Sequence, residues 1–132
     1  MPAEPFDDPC PPDPESAQHL KTDVRRLPTA VVCTLVGDLD PETAAIAATA
    51  LQQALDRTEP GRRLLADLSE IAFCSSAALN VLLTVRRDAV ARQVPFALVA
   101  PSRRTARLME ITGADRVFTV YPTLAEALQE KP

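Results

Sequence analysis

Apolar and polar residues first form two short strand-like runs, KTDVRRL at residues 21–27 and AVVCTLV at residues 30–36. Pro28 and Thr29 separate the runs, and two such segments joined by a short turn are a hairpin signal. We therefore predict a pair of antiparallel strands at the start of the folded body.

Continuous apolar runs follow further along the chain. RLLADL at residues 63–68 and PFALVA at residues 95–100 are typical of strands that are covered on both faces. RVFTV at residues 116–120 predicts one more strand. We expect the first of these strands to end near Leu68, so that the serine-containing stretch FCSSAALN at residues 73–80 follows it directly.

Helical periodicity begins after the sequence GDLD at residues 37–40 and continues to Arg57. We place Asp40 as the N-cap of this first helix and Pro41 as its first helical residue, because both residue types are favoured at those positions. The predicted apolar stripe of helix one consists of Ile46, Ala50, Leu51, Ala54 and Leu55.

Residues 76–93 form a second helical pattern. Its apolar face is predicted to hold Ala78, Leu82, Val85 and Ala89, with Leu79, Leu83 and Val90 beside them. The opposite stripe is small and polar, and it consists of Ala77, Asn80, Thr84, Arg87 and Ala91.

Two more helices are predicted towards the end of the chain. Ser102 caps the first, which stops at Gly113, and Thr123 and Glu126 have capping-box spacing at the start of the second. A hairpin followed by strand and helix repeats indicates an α/β fold. We expect a mixed, mostly parallel sheet of about five strands with about four packed helices.

The 132 residues suggest one domain with a single core. Residues 1–19 contain six prolines and five acids, a composition that cannot bury enough apolar area to offset the entropy of ordering. We therefore expect a disordered tail at residues 1–19 and a folded domain at residues 20–132.

Composition excludes several function classes. The net charge of the chain is −4, and residues 1–19 alone contribute −5. The rest of the chain is therefore nearly neutral and lacks the strong basic field of a nucleic-acid binder. No run approaches the roughly 20 apolar residues of a membrane span. Cys10, Cys33 and Cys74 lack metal-ligand spacing and are predicted to be reduced thiols in the cytoplasm.

Enzyme chemistry also lacks its usual residues. His19 is the only histidine and lies in or beside the tail, so a catalytic triad has no positioned base. The three glycines are isolated and form no phosphate-binding loop. We predict neither an enzyme nor a bound metal or cofactor.

The strongest candidate site is the junction that contains Ser75 and Ser76. Sites in such sheets collect at the carboxyl ends of parallel strands, and a phosphate at a helix start meets free N–H groups and the positive end of the helix dipole. Phosphorylation adds about −1.5 to −2 charge units, which would repel a bound partner. Alternatively, one serine only caps helix two. Spacing alone leaves both interpretations open.

A family pattern extends over the body. The segments GDLDPETA, LLADLSEIAFCSSAALNVLLTVRR and PFALVAPSRRTARLMEITGADRVFTVYPTLAEAL resemble the STAS domains of bacterial anti-sigma factor antagonists. The resemblance runs from about Lys21 to Leu128, and its most specific parts are Asp67 to Ser69, the serine junction with Phe73, and Leu108 to Tyr121. It implies the STAS fold and a non-enzymatic role in transcription regulation, often in stress responses.

The resemblance also implies a partner, which is both an anti-sigma factor and an ATP-binding serine kinase of the histidine-kinase-like type. The unphosphorylated antagonist binds this partner and frees its sigma factor, and phosphorylation ends the binding. It implies no direct contact with nucleic acid or membrane.

Family members carry Phe, an apolar residue, Asp, the phosphorylated Ser and a small residue, then Gly-Leu-Gly. Aligned without a gap, Ser76 is the predicted phosphoacceptor and Ser75, which stands in the place of the family Asp, is the second choice. Asp38 and Asp40 match a loop near this site in relatives. The predicted partner-binding residues are Asp38, Asp40, Cys74, Ser75, Ser76, Ala77, Asn80, Thr84 and Arg87.

Three alternatives stay open. The missing Asp permits a STAS domain that docks a protein or small ligand without phosphorylation. Cys74, which lies near a helix start, is either a reactive thiol or a small buried hydrophobic residue. Arg103, Arg104 and Arg107 form either an anion site or a solvated basic face.

Overall fold

The structure, a computed structural model, describes residues 20–129. A single five-stranded sheet has its strands in chain order, and β1 pairs antiparallel with β2 while all other pairs are parallel. This confirms the predicted hairpin and the mixed α/β sheet. The strands are β1 (Leu20–Arg26), β2 (Ala30–Leu39), β3 (Arg63–Cys74), β4 (Phe96–Val99) and β5 (Thr119–Tyr121).

Four helices of the described range cover the sheet, three on one face and one on the other. The larger apolar cluster joins the first three helices to Leu64, Ala66 and Leu68 of β3. The smaller cluster joins the last helix to Leu65, on the opposite face of the same strand. The helices are α1 (Ala44–Asp56), α2 (Ser76–Ala91), α3 (Arg103–Thr112) and α4 (Leu124–Gln129).

The tail predicted at residues 1–19 lies outside the described residues, as do residues 130–132. Helix ends follow the predicted signals more closely. Ser102 Oγ accepts the backbone N–H of Thr105 at 3.1 Å, and Gly113 ends α3 with a φ of 83°. None of the helices in the described part of the chain is long and apolar enough to cross a membrane.

The predicted start of the first helix is wrong by three residues. Asp40 does not cap the helix, because its Oδ1 accepts the N–H groups of Glu42 and Thr43, both at 2.9 Å, and closes a turn before it. Pro41 belongs to that turn, and Thr43 is the N-cap residue. In the buried stripe Ala47 replaces Ile46, which is half-buried at the margin of the core.

Strand β3 continues to Cys74 instead of ending near Leu68. Its first half pairs with β2 and β4, but β4 ends at Val99, opposite Asp67. Beyond that point β3 has only β2 as a neighbour, so its side chains are no longer uniformly apolar or buried. The continuous apolar run that predicted the strand therefore ends at Leu68, before the strand itself ends.

Two smaller predictions are also corrected. Val90 is 59% exposed, not beside the core, because it lies near the end of α2, which stops at Ala91. The last strand starts at Thr119, not at residue 116, because Ala114–Arg116 form a short 3-10 helix first.

Candidate functional site

The carboxyl ends of β2 and β3 bring the predicted site segments together. Asp38 lies opposite Phe73 and Leu39 opposite Cys74 in the parallel ladder. The N–H of Ser75 donates to the carbonyl oxygen of Leu39 at 2.7 Å and extends this pairing by one bond. The loop before α1 and the serine junction are therefore neighbours.

The two adjacent serines have different environments. Ser75 is extended, with φ −84° and ψ 166°, and its Oγ accepts the N–H of Ala78 at 3.1 Å, so it is the N-cap of α2. Ser76 is the first residue of the helix and is exposed. Among the described residues, no hydrogen bond involves the Ser76 hydroxyl, which is free for chemistry.

The two acids of the neighbouring loop also differ. Asp40 uses its carboxylate to hold the turn before α1. Asp38 contributes its backbone carbonyl, which accepts a hydrogen bond from the Thr43 hydroxyl at 2.8 Å. Its half-buried carboxylate has no such local use within residues 20–129, so Asp38 is the more available of the two for a partner.

Most of the predicted polar stripe of α2 is exposed, namely Asn80, Thr84 and Arg87, whereas Ala77 is half-buried. Ser76 is exposed one turn before Asn80, so Ser76, Asn80, Thr84 and Arg87 form a ridge along the helix. Shallow grooves flank this ridge. A groove of about 290 Å³ lies towards α1 and one of about 340 Å³ towards the end of α3. Asn80 lines both grooves, so a partner could contact the ridge from either side.

Cys74 is the predicted site residue whose side chain is buried, at 6% exposure. Burial raises the pKa of its thiol to about 11, because the thiolate would lose its hydration. A reactive thiol needs the opposite environment, with a lowered pKa and access to solvent. The position therefore fits a small core residue.

Next to the junction lies an apolar and basic surface, of which the sequence prediction had named only the arginines of α3. Phe73 is 43% exposed, and with Leu108, Ile111 and the two arginines Arg104 and Arg107 it lines a groove of about 310 Å³. A sequence signal for Ile111 exists, because it lies two residues from the buried Met109 and so on the other side of α3. Phe73 had no such signal, since β3 was expected to end earlier.

No group of three or more His, Cys, Asp or Glu side chains within residues 20–129 is placed to hold a metal ion. The site consists instead of an exposed hydroxyl, a carboxylate, small polar residues and apolar side chains beside them. Such a surface suits protein contact and covalent modification of Ser76, and it contains no base within the described hydrogen bonds to activate that hydroxyl.

Comparison with known sequences places the chain in a family. The family described as STAS domain matches residues 21–127, so the chain belongs to the STAS domain family, as the sequence resemblance indicated. A Mycobacterium tuberculosis relative, anti-sigma-F factor antagonist RsfB, is 30% identical over 99 residues, which are 74% of this chain and 77% of that protein.

A shorter sequence match and a solved structure agree with this family assignment. A Thermotoga neapolitana relative is 34% identical over 68 residues, 52% of this chain, and the chain spans only 60% of its length. The crystal structure of an anti-sigma factor antagonist from Mycobacterium paratuberculosis has a TM-score of 0.74 at 29% identity, covering 83% of this chain and 92% of the other.

SpoIIAA, an anti-sigma factor antagonist solved in its unphosphorylated form, has a TM-score of 0.67 at 17% identity, over 82% of this chain and 93% of the other. A likeness at that identity shows the shared STAS fold alone. The phosphorylated form of the Bacillus protein has also been solved, with a TM-score of 0.63 over 83% and 97% of the two chains.

Proposed function

We propose that this protein is a cytoplasmic anti-sigma factor antagonist. It binds a kinase-like anti-sigma factor through the serine junction, the loop with Asp38 and the ridge of α2, and so frees a sigma factor. Phosphorylation of Ser76 ends the complex. The observation that carries the proposal is the division between the serines, because Ser75 caps the helix and Ser76 is exposed without a structural bond.

The comparisons support the first half of this proposal. The Mycobacterium tuberculosis relative bears the name of an anti-sigma-F factor antagonist and aligns with most of this chain. The phosphorylated form of SpoIIAA supports the second half by analogy, since that protein has the same fold and exists in two states.

Ser76 is well placed for a phosphate to remain stable and to disrupt a contact. The first N–H groups of a helix lack intrahelical acceptors and favour an anion, and the first turn of α2 contains no acid. The phosphate adds about −1.5 to −2 charges to the ridge. A partner that buries the ridge would have to remove water from those charges, which disfavours the complex.

The departure from the family sequence keeps part of the original chemistry. Asp and Ser are both preferred N-caps, so Ser75 retains the cap that an Asp would supply while removing its negative charge. The helix start is thereby preserved next to Ser76. What changes is the electrostatic field around the phosphoacceptor, which becomes less negative.

The test combines the purified chain with anti-sigma factor kinases from its host, with and without ATP. We expect a complex without ATP, a single phosphate on Ser76 by mass spectrometry, and release of the partner afterwards. Ser76→Ala should bind but accept no phosphate, and Ser76→Asp should bind about tenfold more weakly or worse. Failure to bind any such kinase contradicts the antagonist function.

A second candidate is a STAS docking module that is not phosphorylated. The observation that favours it is Ser75 in place of the family acid, together with the grooves on both sides of α2. In this case Ser76→Ala and Ser76→Asp bind the partner equally well. A loss confined to Ser76→Asp excludes it.

A further inference from the structure

The groove beside the junction combines apolar walls with positive charge. Phe73 comes from the end of β3, and Leu108 and Ile111 come from α3, which also contributes Arg104 and Arg107. Ile111 is 74% exposed, although it is a large aliphatic residue. The groove therefore suits a chain segment that carries both an apolar side chain and acids.

The two groove arginines have no carboxylate partner within residues 20–129. The ion pairs of that region join Arg87 to Asp88 and Arg92 to Asp56, both away from α3. Exposed guanidinium groups next to apolar side chains favour an occupant with carboxylates, which they bind in a planar, two-point geometry.

The chain enters the fold at the same end of the sheet. Leu20, the first residue of β1, lies opposite Gly37 of β2, and Gly37 lies opposite Ile71 of β3. Ile71 precedes Phe73 by two residues on that strand. Residues before Leu20 therefore start two strands away from the groove, a lateral distance of about 10 Å.

The sequence that precedes Leu20 is complementary to the groove. Residues 4–8 read EPFDD, so that Phe6 is flanked by Glu4, Asp7 and Asp8. Leu20 follows Phe6 by fourteen positions along the chain. A chain of this length spans up to about 46 Å when extended, which is ample to reach α3.

We propose that residues 4–8 dock within the same molecule onto this groove. Phe6 packs against Phe73 and Ile111, and Asp7 and Asp8 pair with Arg104 and Arg107. The docked segment lies beside Ser75 and Ser76, so it competes with the anti-sigma factor for one side of the site. This last consequence rests on the proposed function, whereas the docking itself does not.

Cys10 provides a label close to the docking segment in the full-length chain. Cys33 and Cys74 are buried with raised pKa values, so a maleimide spin label at neutral pH reacts with Cys10 in preference. We expect the label to broaden the backbone NMR signals of α3 around Arg104, Arg107 and Ile111, and that of Phe73. A Cys10→Ser sample treated in the same way should show no broadening.

Matched charge variants test the specificity of the contact. Phe6→Ala combined with Asp7→Asn and Asp8→Asn should abolish the broadening at α3. The control, Asp13→Asn with Glu15→Gln, removes two acids from the same segment of sequence and should retain it. High salt should weaken it, because the screening length falls to about 3 Å at 1 M.

Several results would overturn the docking. Broadening that is absent or spread evenly over the body contradicts it. So does broadening centred on a separate groove that Thr22 of β1 and Ile46 of α1 line. Broadening in a mixture of spin-labelled chain and isotope-labelled Cys10→Ser chain would assign the groove to a second copy instead.

If docking holds but no anti-sigma factor binds, only the proposed function fails. If both hold, the variant at Phe6, Asp7 and Asp8 should bind the anti-sigma factor at least about twofold more tightly. The reason is that the linked segment, present at an effective concentration in the mM range, no longer competes for the site.

Discussion

At the scale of single residues, the serine junction shows how one step along the chain changes the role of a serine side chain. Ser75 precedes the helix with extended backbone, so its Oγ reaches the N–H of Ala78 three residues on. Ser76 has entered the helix, and its side chain is exposed. A shift by one residue would exchange the cap and the exposed hydroxyl.

Replacing each serine separately tests this division. Ser75→Ala should lower the free energy of unfolding by about 0.5–2 kcal/mol, because the N–H of Ala78 loses its acceptor. Ser76→Ala should change it by less than about 0.5 kcal/mol, as for other exposed positions. Ser75→Asp should retain most of the stability. Urea denaturation measures all three, and equal losses for the two alanine variants would contradict the assignment.

Arg63 is a buried charge that the fold leaves unpaired within residues 20–129. It is 4% exposed, and its Nε, Nη1 and Nη2 atoms have no hydrogen-bond partner there. By alternation along β3 it lies on the same face as Leu65, the face that α4 covers. Burial of a polar group without a partner costs about 1–3 kcal/mol, and more for a charge.

Arg63→Met should therefore raise the free energy of unfolding by about 1 kcal/mol or more, because the apolar chain fills the space without a charge. Arg62→Met serves as the control, since Arg62 is half-buried and donates weakly to the Leu27 carbonyl at 3.4 Å. It should change stability little. Destabilisation by Arg63→Met would contradict the assignment of Arg63 as an unpaired buried charge.

At the scale of elements, the sequence predicted the helices and strands well where one physical signal dominated. The hairpin followed from Pro28 and Thr29, and the end of α3 from Gly113. The start of α1 was mispredicted because Asp40 is favoured equally by a helix cap and by the turn that it closes. The exposed end of β3 could not be predicted, because it depends on where β4 stops pairing.

The candidate site was predictable in part for a similar reason. Periodicity assigned Asn80 and Thr84 to the exposed side of α2, and the resemblance singled out Ser76. The apolar groove was not predictable, since it requires the packing of α3 beside the end of β3. Such a contact joins residues that are distant in sequence.

Gly113 offers a test of how α3 ends. Its φ of 83° is in the left-handed region, while a Cβ there would meet no atom within 4 Å. Gly113→Ala should therefore destabilise the protein by about 1–2 kcal/mol through backbone strain alone. Gly113→Asn should cost less, because Asn tolerates this conformation better. Thermal or urea unfolding measures both, and an unchanged alanine variant would contradict the assigned helix end.

At the scale of the whole molecule, two buried thiols link stability to alkaline pH. Burial raises the pKa of Cys33 to about 12, with a further contribution from Asp23, and that of Cys74 to about 11, from an ordinary value of 9.0. Above pH 9 the unfolded chain loses these protons while the folded chain keeps them. The stability is therefore complete below about pH 9 and falls as the pH rises towards 11 and 12.

The decline should reach about 1.4 kcal/mol per pH unit for each thiol. We expect urea unfolding between pH 8 and about pH 11 to show this loss, and Cys33→Ala with Cys74→Ala to reduce the slope. Cys10→Ser keeps both buried thiols and should retain the slope of the parent chain. An equal slope in the double alanine variant would contradict the linkage.

The two edge strands of the sheet, β1 and β5, limit how molecules of this protein can associate. Exposed backbone on an outer strand can pair with another chain and begin aggregation, and charged side chains or short strands oppose this. β5 has only three residues, and β1 carries the exposed charges of Lys21, Asp23, Arg25 and Arg26. Strand-to-strand joining is thereby discouraged at both borders, so that contacts with other proteins are directed to the helices and to the loops at the carboxyl end of the strands.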